Sequence, residues 1–194
     1  MRDALTQLLY NRYPILFAEH RLDASESGMA WGFQHDDGWF AIVEALASVV
    51  TAHAPGATAA HVKQKMGGLR FSLNEGDAFT RGACAAAERF SLTISEVSGR
   101  RGVLMVRRKG FWLRTLAPGE LAGFVPVPRE APDACEGSLA DDVLDAAPKP
   151  STPQPHAEGA QAFHQAMASR LHPITGECGP VDDRGIIANG TEGR

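Results

Sequence analysis

The run VKQKMGGLRFSL, residues 62–73, constrains the fold more than any other part of this chain. Leu69, Phe71 and Leu73 alternate strictly with Arg70, Ser72 and Asn74, the period of a strand with one buried and one wet face. Two glycines, Gly67 and Gly68, stand before this run, and Val62 to Lys65 before them can alternate in the same way. The spacing predicts a β-hairpin over 60–74 with the glycines at its turn. Parity then fixes the faces. Val62, Leu69, Phe71 and Leu73 point to a core, while His61, Lys63, Lys65, Arg70 and Ser72 share the polar side. A hairpin alone is marginal in water, so the rest of the chain must supply the apolar cover.

Helical patterns flank it. Residues 3–20 place Leu5, Leu8, Leu9, Ile15 and Phe17 on apolar positions, with Pro14 as an interruption. Trp39, Ile42, Val43, Leu46 and Val50 follow helical spacing and predict a second helix, capped by Asp36 or Asp37 and ended by APG at 54–56. A third helix is expected over about 76–90, with Phe79, Ala83, Ala86 and Phe90 on one face. Three short strands, 91–97, 103–107 and 111–116, are separated by SGRRG and RKG and predict an antiparallel meander. The expected class is α+β: two helices, a β-hairpin, a third helix and a three-stranded antiparallel meander.

Past residue 125 the composition shifts toward Pro, Ala and acids. Residues 1–129 carry 15 Lys/Arg against 12 Asp/Glu, and residues 130–194 carry 4 against 11. Such a segment buries too little apolar surface to offset the entropy of ordering it. The reading is a compact domain over 1–125 and a mostly disordered acidic tail over 126–194, with short helices near 138–146 and 157–171. No apolar run approaches the roughly 20 residues of a membrane span. The N-terminus lacks the apolar stretch of a secretory signal. Three scattered cysteines, Cys84, Cys135 and Cys178, form no disulfide framework. A cytoplasmic setting is expected, with no membrane partner.

RYPILF, MAWGFQHDDGWF, VKQKMGGLRFSL and ISEVSGRRG…GFWLRTLAPGE together resemble a family of small bacterial and phage proteins marked by a segment close to V-K-E-K-F-G-G-L-R-F-Y. The resemblance covers about residues 12–120. Members of that family tend to carry C-G-D-G-W before the second helix, then C-E-V-C-G, a hairpin and R-T-L-C-x-x-H. The resemblance implies a zinc-ribbon-like site of C-x-x-C and C-x-x-H, since paired thiolate turns suit tetrahedral zinc. The matching positions here are Ser95, Ser98, Ala117 and Glu120, and Ala30 and His35 stand where other members carry cysteine. None of the four is a thiolate or an imidazole, so no metal and no cofactor are expected.

No phosphate-binding loop, dinucleotide fingerprint, nucleophile elbow or zincin motif is present. Asp36, Asp37, Glu75 and Asp77 can be read as a metal or acid–base cluster, or as helix caps, since each group precedes a predicted helix. Cys84, on an alanine-rich stretch, reads as a small core residue. No catalytic residue is assigned.

The basic residues carry the binding signal. From Val97 to Gly119 the chain has Arg100, Arg101, Arg107, Arg108, Lys109 and Arg114 and no acid, with Phe111 and Trp112 among them. Cations interleaved with aromatics suit phosphates and stacked bases, although cations also keep sheet edges apart and Trp112 can equally pack in a core. The candidate binding set is Lys63, Lys65, Arg70, Arg100, Arg101, Arg107, Arg108, Lys109 and Trp112. The functional expectation is a non-enzymatic interaction module, of the phage or prophage type that the resemblance implies, with a macromolecular partner, a protein first and nucleic acid as the alternative. An enzyme of another type is the third reading.

Overall fold

The computed structural model describes residues 1–128 and 155–170. Helix α1 runs Asp3–Arg12 and stops two residues short of Pro14, which has no N–H to donate and crowds the preceding turn. The chain resumes as a short 3₁₀ turn, Ala18–Arg21, so the expected helix over 3–20 is two pieces. Of its apolar positions, Leu9 and Phe17 are wholly buried, whereas Leu8 and Ile15 are exposed.

The hairpin forms as the alternation requires. Strand β1 (Phe33–Gln34) pairs in parallel with β2 (Ala59–Lys65), which pairs antiparallel with β3 (Gly68–Leu73). Val62 faces Phe71 and Lys63 faces Arg70 across the ladder. The turn sits one residue earlier than the glycine pair suggests. Met66 (φ 54°) and Gly67 (φ 83°) are both left-handed. Two positive φ values give the turn twist that matches flanking strands, and Met66 takes the position usually left to Asn or Asp.

Helix α2 (Phe40–His53) follows a 3₁₀ turn at Asp37–Trp39. Trp39, Ile42, Val43, Leu46 and Val50 form its buried stripe as the spacing predicts. Neither Asp36 nor Asp37 caps it with a side chain; Asp37 pairs with Arg2 and Asp36 with Arg114. Helix α3 (Ala78–Ser91) does begin on an acidic cap: Asp77 accepts from the Thr80 amide at 2.8 Å. Ala83 and Ala86 are buried and Phe79 and Phe90 half-buried.

A second sheet holds β4 (Val103–Arg107), β5 (Leu113–Leu116) and β6 (Phe124–Pro126), all antiparallel in the order β5-β4-β6. The third strand therefore comes from downstream of the hairpin, and 91–97 contributes only a single bridge, Ile94 to Arg101. Ser95 Oγ accepts from the Val97 and Ser98 amides at 3.2 and 3.3 Å, which curls that segment into a turn.

The C-terminal helix joins the core. Helix α4 (Pro155–Arg170) covers the expected 157–171 helix, and it is part of the core: Phe163 and Met167 are buried in the same cluster as Trp39, Leu46 and Phe71. Arg170 pairs with Glu44, which Arg12 also reaches. The described core thus includes α4, and the second sheet runs through β6, past the residue 125 at which the compact domain was expected to end. The expected helix at 138–146 lies outside the described residues.

Candidate functional site

Strand β4 ends at Arg107 because Arg108, Lys109 and Gly110 turn the chain back toward β5. The loop carries Phe111 at 99% and Trp112 at 62% exposure, beside Arg107, Arg108 and Lys109, all exposed. Water-facing aromatics of this size cost hydration free energy that a folded domain normally recovers by burial. The fold anchors the loop from both sides: Arg107 N donates to Trp112 O at 3.0 Å, and Arg108 N donates to Gly123 O at 2.8 Å. Among the described residues Arg107, Arg108 and Lys109 form no ion pair with a carboxylate. Trp112 is therefore not part of the packing that holds the sheet, which rests on Met105, Leu116 and Ala117.

The other predicted residues divide. Arg70 pairs with Glu88 on α3, and Arg100 lies 3.5 Å from Glu120, so both are engaged within the chain. Lys63 is half-buried and Lys65 exposed on β2, and neither has a carboxylate within ion-pair reach among the described residues. Gln64, between them, donates to Leu113 O at 2.6 Å and so fastens the hairpin β2–β3 beside the strand that leaves Trp112. Arg101 stands apart, on the edge of an apolar groove of about 870 Å³ that Leu92, Val103 and Val127 line.

Next to Trp112 lies a polar pocket of about 320 Å³, walled by Gln34, Asp36, Gln64, Glu96, Trp112 and Arg114. Arg114 bridges the two acids, with Nε 2.9 Å from Glu96 and its other end on Asp36. Burial pushes the Glu96 carboxyl above its ordinary range, against the pull of the Arg114 hydrogen bond. Half of the Asp36 side chain remains open to solvent. The sequence reading did not single out Gln34 or Gln64. The signal for Gln64 was its parity: an amide at an inward position of a strand whose neighbours there are Val62 and Leu69.

No family model, no curated protein and no solved structure matches the chain.

The four positions set against the zinc-ribbon pattern do converge. Ser95 Oγ donates to Glu120 Oε2, and the Ala117 amide donates to the same oxygen at 3.0 Å. The carboxylate thus fills the space between the two turns. Burial opposes its ionisation, but the hydrogen bonds from Ser95, the Ala117 amide and Arg100 outweigh it and hold Glu120 below its ordinary range. Among the described residues no group of three or more His, Cys, Asp or Glu side chains is placed to hold a metal ion. Asp36 and Asp77 belong to separate pairs, with Arg114 and His53. Burial pushes the Cys84 thiol up to about 12, which leaves it protonated and inert near neutral pH. No helix among the described residues is long and apolar enough to cross a membrane.

Proposed function

We propose that this chain is a non-enzymatic interaction module that docks an anionic macromolecular partner on the loop joining β4 and β5. The supporting observation is the coexistence of Arg107, Arg108 and Lys109, without ion-pair partners among the described residues, with an almost fully exposed Phe111. The cations supply long-range attraction, and the aromatics supply apolar contact area once the partner excludes water. Lys63 and Lys65 widen the positive field on the adjoining strand.

The test is binding to a panel of polyanions: a single-stranded oligonucleotide, polyglutamate and vesicles of anionic lipid. The full chain is expected to bind at least one, more weakly as salt rises. The triple variant Arg107→Glu, Arg108→Glu, Lys109→Glu is expected to lose that binding at an unchanged unfolding midpoint, because exposed charges contribute under about 1 kcal/mol to stability. Failure of the chain to bind any of the three, or equal binding by the variant, overturns the reading.

A further inference from the structure

We infer that the partner is single-stranded nucleic acid, with one base seated in the polar pocket against Trp112. This rests on the anionic-docking reading above and narrows it. Three features lie side by side. Trp112 is a wall of the pocket and is itself 62% exposed, so much of this large side chain is open to a stacked base. Phe111, the neighbouring residue, offers a second unshielded ring. Arg107, Arg108 and Lys109 precede the aromatics on the same loop, where the phosphates of a strand stacked on both rings would run. Aromatic platforms with adjacent cations are the usual means of holding unpaired bases without sequence preference.

The pocket favours one class of polyanion. Its open acceptors are the half-exposed Asp36 carboxylate and the exposed Gln34 amide; Glu96 is buried on Arg114, and the Gln64 N–H is used on Leu113 O. Anionic lipid headgroups and acidic peptide side chains offer mostly acceptors, which find no donor in Asp36 and meet an Arg114 already committed to Asp36 and Glu96. The edges of unpaired cytosine, adenine and guanine carry exocyclic amines, which donate to such oxygens. A volume of about 320 Å³ admits a single base. In a duplex those edges are already paired and stacked, so a strand with free bases is the ligand that uses both the rings and the pocket.

The experiment follows fluorescence anisotropy of a labelled oligodeoxynucleotide of about 12 nucleotides, within the span that single binding folds cover, with the full chain. An abasic strand of the same length and charge, the same sequence as a duplex, polyglutamate and anionic vesicles serve as comparisons. The base-bearing single strand is expected to bind at least about 10-fold tighter than the abasic strand, and Trp112→Ala to weaken it about 5- to 150-fold, the range that one stacked base implies. Trp112→Phe is expected to restore most of the loss, and Phe111→Ala to act in the same direction as Trp112→Ala. Both side chains are exposed, so the unfolding midpoint should not move. Equal affinity for the abasic strand, indifference to Trp112→Ala, or tighter binding to the duplex, polyglutamate or vesicles overturns this inference and leaves anionic docking standing. If no polyanion binds, both readings fall together.

Discussion

His35 sits between the rings of Phe33 and Trp39, with centroids 6.0 Å from each, and is 4% exposed. Its Nδ1 lies 2.8 Å from the Asp36 carbonyl, which can only accept, so Nδ1 carries the hydrogen; Nε2 has no partner among the described residues. Burial lowers the imidazole to about 4 from an ordinary value near 6.5. Above pH 6.5 the group is neutral in both folded and unfolded chains and contributes no pH dependence. Between 6.5 and about 4 the unfolded chain takes up a proton that the folded chain refuses, so stability falls with acidification. The full loss is about 3 kcal/mol. His35→Leu, which keeps an apolar fill, is expected to flatten the decline of unfolding free energy over that window relative to the parent chain. Parallel pH profiles would show that His35 does not titrate in this way. At this scale the sequence showed which residue types were present but not their surroundings. Helical spacing placed Trp39 on the buried stripe of α2, whereas Trp112 read equally as a contact residue or as core, and it is exposed. Arg107 and Arg114 are both strand arginines, one without an ion-pair partner among the described residues and one locked between two acids. Local pattern leaves residues such as Trp112 open, because exposure is decided by what packs on top.

Elements defined by alternation or helical spacing formed where the pattern placed them: β2 and β3, the stripe of α2, and α3. Those set by distant partners did not. The 91–97 stretch has strand-like residues, yet Ser95 bends it, and the free edge of β4 is filled by β6 from beyond the loop. Helix α4 formed where a short helix was expected, near 157–171; what local pattern did not show is that its Phe163 and Met167 complete the core. Its contact with α3 depends on Gly82. A Cβ there would stand 1.9 Å from the His156 carbonyl oxygen, so the glycine lets α4 cross at backbone distance. By helix propensity alone, Gly82→Ala should stabilise α3 by about 1 kcal/mol. Because α4 must then shift, the expected result is the opposite, a loss of about 1–3 kcal/mol, the usual cost of overpacking. Chemical denaturation of the full chain measures it. A stabilised variant would mean that α4 does not dock against α3 in solution.

The molecule as a whole is held in two different ways. One apolar cluster joins α1, α2, β2, β3, α3 and α4, and it includes no residue of β4, β5 or β6. The second sheet is joined to the rest by directional bonds instead: Trp39 Nε1 donates to Ile94 O at 2.8 Å, Gly38 N to Glu96 O at 2.8 Å, Glu96 N to Thr115 O at 2.9 Å, and Thr115 Oγ1 to Gly67 O at 2.7 Å. Arg114 is the charged member of this joint, reaching both Glu96 and Asp36. Regions tied by few apolar contacts open locally at lower free energy than a domain's core. Amides of β4 and β5 are therefore expected to exchange with solvent faster than those of β2, β3 and α2, even though the central strand of each sheet is paired on both sides. Arg114→Met keeps much of the side chain's length and removes its charge. It leaves Glu96 buried without its cation, an arrangement that costs about 3–5 kcal/mol when a buried pair is broken. If the two halves were one cooperative unit, that loss would speed exchange everywhere equally. With the joint built as described, the variant should accelerate exchange in 103–116 and leave α2 and β3 close to the parent rates. Uniform acceleration across both sheets would show that the polar joint couples them as tightly as a shared core.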